Sequence, residues 1–110
     1  MPGQPTIVEE DNFTISDNNE NDVFATTTPG FYTFTIDTIN LDTGDEIIFR
    51  AYRKVRSGGA YQLYDEPRRL TGPRTGYCYI SLPVPNSYGV KFSLERVSGT
   101  IDTVPYIVES

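Results

Sequence analysis

From Phe31 to Ile39 the chain alternates without a break. Tyr32, Phe34 and Ile36 fall on one side, and Thr33, Thr35 and Asp37 on the other. A helix does not sort residues with period two; a strand with one dry and one wet face does. The same period returns from Glu46 to Arg56, where Ile47, Phe49, Ala51 and Val55 share a face opposite Ile48, Arg50, Tyr52, Lys54 and Arg56. Arg53 falls on the apolar side of this strand, near its end, where its head can snorkel to water. A third alternation runs from Val90 to Val97, with Val90, Phe92 and Leu94 inward. Three such segments commit the chain to sheets.

Turn chemistry separates these strands from shorter ones. Thr6–Glu9, Asn12–Ser16, Val23–Thr27, Ala60–Tyr64, Tyr77–Leu82 and Val104–Val108 read as further strands. Asp17–Asp22, Pro29-Gly30, Asp42–Asp45, Ser57–Gly59, Pro83–Asn86 and Ser98-Gly99 read as turns, because these residues supply left-handed angles or fix φ. Asp65–Gly76, with two Pro, two Gly and three Arg, reads as a long exposed loop. No helix longer than a turn is expected. The fold class is all-β: a single antiparallel β-sandwich, jelly-roll or Ig-like, of seven to nine short strands. Residues 1–11 read as an extended N-terminal arm, held open by Pro2 and Pro5, and 12–110 as the sandwich domain. At 110 residues there is no room for a second core.

Composition removes several chemistries. There is no histidine, hence no His-based triad, no imidazole metal ligand and no ordinary pH switch. One cysteine leaves no intrachain disulfide and no multi-cysteine metal site. Cys78 lies between Tyr77 and Tyr79 and reads as a buried structural thiol, with no base to activate it. No apolar run reaches the roughly 18 residues of a membrane span, and the first residues do not resemble a secretion signal. No cofactor, no metal, no membrane and no catalytic residue is expected.

Charge is divided along the chain. Residues 1–49 hold ten acids and no Lys or Arg, while residues 50–110 hold all nine bases and five acids. Such a split serves either head-to-tail attraction between copies or pairing of early strands with late ones inside one molecule. Arg50, Arg53, Lys54, Arg56, Arg68, Arg69 and Arg74 lie near many tyrosines, as in grooves for single-stranded nucleic acid. A net charge of −6 argues against that partner.

Other patterns are weaker. Asp42-Thr43-Gly44 matches the tripeptide of aspartic proteases, but Asp45 stands where a small residue belongs. Asp17, Asn19 and Asn21 have the first spacings of a calcium loop, but Asp22 and Thr28 replace the Gly and Glu it requires. Glu9, Glu10, Asp11 and Asp22 leave room for a looser site. Asn12-Phe13-Thr14 fits a glycosylation sequon. Tyr52, Tyr61, Tyr64, Tyr77, Tyr79 and Tyr88 suggest a stacking face, with Tyr61 and Tyr64 as its candidate ligand residues.

A longer pattern runs through Gly30-Phe31-Tyr32, Asp37, Gly44-Asp45-Glu46, Arg53-Lys54-Val55, Ser57-Gly58-Gly59 and Val84-Pro85. It continues through Val90–Leu94 and Ser98-Gly99-Thr100 to Tyr106 and Val108. This stretch resembles small single-domain β-sandwich virion proteins of tailed bacteriophages. It departs from them at Tyr106, where they carry Trp, and in the Arg-rich segment Pro67–Gly76. The resemblance implies a non-enzymatic capsid decoration protein, made in the host cytoplasm and resident on the capsid surface. Its implied partners are the major capsid protein, other virion subunits and further copies of itself. Inter-subunit contacts are then expected from the arm (Pro2, Pro5, Ile7, Val8) and from Arg68, Arg69 and Arg74. The alternative is a carbohydrate- or receptor-binding module of a phage tail or cell surface, with its tyrosines in one shallow cleft.

Overall fold

Ten strands, joined only by turns and loops, form two antiparallel five-stranded sheets in the computed structural model, which describes residues 6–74 and 76–110. In chain order they are β1 (Ile7–Thr14), β2 (Glu20–Thr26), β3 (Gly30–Asp37), β4 (Glu46–Lys54) and β5 (Tyr61–Leu63). β6 (Arg68–Thr71), β7 (Cys78–Ile80), β8 (Val84–Asn86), β9 (Val90–Ser98) and β10 (Thr103–Glu109) follow. The first sheet runs β1-β10-β3, and β7 and β8 share the far flank of β3. The second runs β2-β9-β4, and β5 and β6 share the far flank of β4.

The pairing is nested. β1 pairs with β10, β2 with β9, β3 with β7 and β8, and β4 with β5 and β6. With each split flank taken as one position, this is the wound order of an eight-stranded jelly roll, not the strand grouping of an immunoglobulin domain.

The core lies where the two inner faces meet. Tyr32, Phe34 and Ile36 of β3 point inward, as the alternation requires, with Ile47, Phe49 and Ala51 of β4 and Val90, Phe92 and Leu94 of β9 opposite. Phe34 is the hub: its ring centroid lies 5.2 Å from Phe49, 5.1 Å from Phe92 and 5.4 Å from Tyr106. Burying each such ring is worth about 1.5–3 kcal/mol. A bulge in β2 between Asp22 and Phe24 turns both Val23 and Phe24 toward this core.

Two buried polar side chains tie the ends of the sandwich. Asp45 accepts backbone N–H groups from Asp42 (2.8 Å), Thr100 (2.9 Å) and Ile101 (3.3 Å), joining the β3–β4 loop to the β9–β10 loop. At the other end, Asn86 donates to the Thr28 carbonyl (2.7 Å) and accepts from the Gly89 N–H (2.7 Å).

Several expectations change. Residues 7–11 are not a free arm. They belong to β1, which is anchored by reciprocal bonds between Thr6 and Ser110 (2.8 and 2.9 Å) and paired with β10 through Thr14. Ile7 and Val8 therefore add a strand to this chain's own sheet, because β10 offers a free edge at no cost in association. Pro2 and Pro5 lie outside the described residues. Asp65–Gly76 is not all loop: Arg68–Thr71 pairs with Glu46–Phe49 of β4 and buries Leu70. β4 stops at Lys54, so Val55 is exposed and not on the core face. Cys78 is exposed, since Tyr79 takes the inward position of β7 and packs on Phe49, with 5.4 Å between rings.

Candidate interaction surface

The outer face of the β2-β9-β4 sheet is polar and internally paired. Arg50 on β4 meets Glu95 at 2.7 Å and Glu20 at 3.6 Å. Glu20 also accepts from the hydroxyls of Tyr52 (2.6 Å) and Ser93 (2.6 Å). Burial alone pushes the Glu20 carboxyl up. The bonds from Ser93 and Tyr52 and the charge of Arg50 outweigh it, leaving the carboxyl below the ordinary glutamate value. The Tyr52 phenol is pushed up to about 12, first by burial and then by its bond to anionic Glu20. Lys91 pairs with Asp22 (3.6 Å) and its ammonium lies over the rings of Tyr52 (4.7 Å) and Tyr61 (4.9 Å). Arg69 pairs with Glu46. Each of these bases comes from the second half of the chain, and Glu20, Asp22 and Glu46 come from the first. Much of the lengthwise charge split is thus closed across strands within one molecule, at about 0.2–1 kcal/mol per pair.

The outer face of the other sheet is different. Its strands carry Glu9, Glu10, Asp11, Asp37 and Glu109 and neither Lys nor Arg; Glu10, Asp37 and Glu109 alternate outward, while Glu9 and Asp11 stand opposite the inward-facing Val108 and Tyr106. The strands of the paired sheet carry four acids and seven bases, the latter being Arg50, Arg53, Lys54, Arg68, Arg69, Lys91 and Arg96. Between its carboxylates the acid-only face is apolar. Tyr77 (72% exposed), Ile80 (59%) and Ile39 (57%) stand on it, with Phe31 (66%) and Leu82 (59%) farther along. Contiguous exposed apolar side chains on a sheet face mark a contact surface rather than a random scatter.

A groove of about 540 Å³ crosses this face, lined by Ile39, Tyr77, Cys78, Pro105 and Ile107, with Glu10 and Asp37 among its walls. Its position has a local cause. The β10–β3 ladder ends at Tyr106–Ile36, and the next residue, Pro105, has no N–H to continue it. Beyond that point β3 leaves the ladder, and Asp37 accepts the Ile39 N–H at 3.0 Å.

The residues singled out in the sequence do not converge. Ile7 and Val8 are exposed at the start of β1, away from the arginines of β6. Arg68 pairs with Asp65 at 3.0 Å. Arg74 is half-buried, its backbone carbonyl accepting from Tyr77 at 3.0 Å. Tyr61 lies on the outer face, 5.0 Å below the Lys54 ammonium, whereas Tyr64 borders the sandwich interior beside Phe49, Ala51 and Tyr79. Tyr61 and Tyr64 therefore do not share one cleft. Asp42 sits in an exposed turn, its N–H bonded to Asp45. Asp17 accepts from the Asn19 N–H (3.0 Å) and the Asn21 amide (3.1 Å), so these side chains close a turn on each other. Among the described residues no three His, Cys, Asp or Glu side chains are placed to hold a metal ion. Sequence reasoning missed the groove: Ile39 and Ile107 each read as ordinary strand residues, and only the pairing of β3 with β7 and β10 brings them beside Tyr77 and Cys78.

Comparison with known proteins finds no matching family model, no matching curated protein and no matching solved structure.

Proposed function

We propose that this chain is a non-enzymatic structural component of a tailed-phage virion, a capsid-surface decoration protein that acts through inter-subunit contacts. The observation that carries the reading is the unequal treatment of the two outer faces. One sheet pairs most of its outer-face charges across its own strands, and the other leaves an apolar, acid-only surface in water. A protein that works by contact needs such a surface and a stiff body behind it. The stacked Phe core and the two buried polar ties at the ends supply stiffness. The jelly-roll order recurs in capsid domains and in lectins, which supports the reading by analogy of fold alone. The phage setting rests on the resemblance of Gly30–Val108. Partners are then the major capsid protein or neighbouring subunits.

The test is immunogold electron microscopy on virions released by cells that carry the gene. Gold on the head surface is the expected result. Gold confined to the tail moves the protein off the capsid, and unlabelled particles with abundant free protein overturn the virion assignment.

A further inference from the structure

The acid-only groove has a counterpart on the same molecule. The β4–β5 hairpin carries Lys54, Val55 and Arg56 in succession, then turns at Ser57-Gly58-Gly59. Val55 is 61% exposed, an apolar side chain held in water between two cations. Among the described residues no carboxylate pairs with Lys54 or Arg56, whereas Arg50, Arg68, Arg69 and Lys91 each have one; the half-buried Arg53 and Arg96 also lack one, Arg96 bonding to Asn18 and the Ile101 carbonyl instead. The groove presents the inverse pattern: apolar Ile39, Tyr77 and Ile107 with Glu10 and Asp37 beside them.

These two features cannot meet within one chain. The groove lies at the end of the sandwich where β3 finishes and the loop to β4 begins. The hairpin lies where β4 finishes, at the opposite end of the sandwich. We infer that the groove receives the Lys54-Val55-Arg56 hairpin of a second copy. Val55 enters between Tyr77 and Ile107, and the two cations face Glu10 and Asp37. Knob and hole at opposite ends make a head-to-tail contact, which propagates into a ring or an open chain rather than stopping at a two-fold dimer. The inference names the partner for the contact-making role proposed above, and it is tested without virions, so either can fail alone.

The experiment is light scattering on the purified chain, with two charge-reversed variants. In about 0.1 M salt the mean mass should climb with concentration above the 12.4 kDa of one chain. In about 1 M salt, where the Debye length shrinks to about 3 Å, it should fall back. The hairpin variant Lys54→Glu/Arg56→Glu and the groove variant Glu10→Lys/Asp37→Lys should each remain monomeric. Mixed, they should form a 1:1 dimer and nothing larger, because one intact groove and one intact hairpin remain. In the same mixture Cys78 of the hairpin variant, which lines the occupied groove, should react more slowly with a maleimide than in that variant alone. A monomeric wild-type chain at every concentration overturns the inference. So do single variants that still associate, or a mixture that stays monomeric while both variants show native circular dichroism.

Discussion

Asp45 shows how a single side chain can hold two loops that the sheets alone leave apart. Its carboxylate takes three backbone N–H groups from residues 42, 100 and 101 while almost wholly out of water. Asp45→Ala orphans these donors and should cost about 2–4 kcal/mol in urea unfolding. Asp45→Asn keeps one acceptor oxygen and should cost less. The same carboxylate explains a demand for glycine. Gly99 has φ +91°, and a Cβ there would lie 2.0 Å from the Asp45 Oδ1 and 2.7 Å from its Cα. Gly58, with φ +72°, has open space around it. Gly58→Ala should therefore show the backbone cost alone, about 1–2 kcal/mol. Gly99→Ala should add the clash and the loss of the loop tie, reaching about 3 kcal/mol or more. Equal urea midpoints for the two variants would show that the Asp45 contact does not constrain the loop.

At the scale of elements, β1 is the strand whose role the structure changes most. It covers β10 over its full length and seats Phe13 against the core. Deleting residues 1–11 should remove several ladder bonds worth about 0.5–1.5 kcal/mol each and bare the β10 edge. The expected result is a urea midpoint lowered by the equivalent of about 3 kcal/mol or more, with aggregation on refolding. A truncated chain as stable as the full one would mean that β1 is an accessory strand. The long strands β3, β4 and β9 were legible in the sequence because each alternates over eight or nine residues and buries one face. β6 and β8 were not. Their neighbourhoods hold Pro67, Gly72, Pro73, Pro83 and Pro85, which read as punctuation. Both are flank strands paired on one side only, where a proline N without hydrogen breaks no ladder. β1 was hidden differently, since Glu9, Glu10 and Asp11 make it look solvated, and an edge strand is solvated. The candidate surface was illegible for a further reason: its apolar residues come from three separate segments, and only register places them side by side.

The whole molecule separates its charge by sheet, and that separation sets how it should respond to acid. The exposed carboxylates of the acid-only face stand in water and are screened at about 0.1 M salt. Glu20 and Asp45 are held instead by fixed donors. Burial pushes both up, and hydrogen bonds bring both below their ordinary values of 4.5 and 3.8. A carboxyl with a folded pKa below its unfolded one binds its proton more readily in the unfolded chain. Its stabilisation is complete above the unfolded value and is lost as pH falls through the folded one. The melting temperature should therefore hold level from pH 7 to about 5 and decline from about pH 4.5 downward. The Glu20→Gln/Asp45→Asn double variant should melt lower at pH 7 and decline less steeply in acid, because the groups that titrate have gone. Calorimetry on dilute protein, kept below the range where copies associate, gives the comparison. If the double variant keeps the wild-type acid slope, the tied carboxylates do not govern acid unfolding.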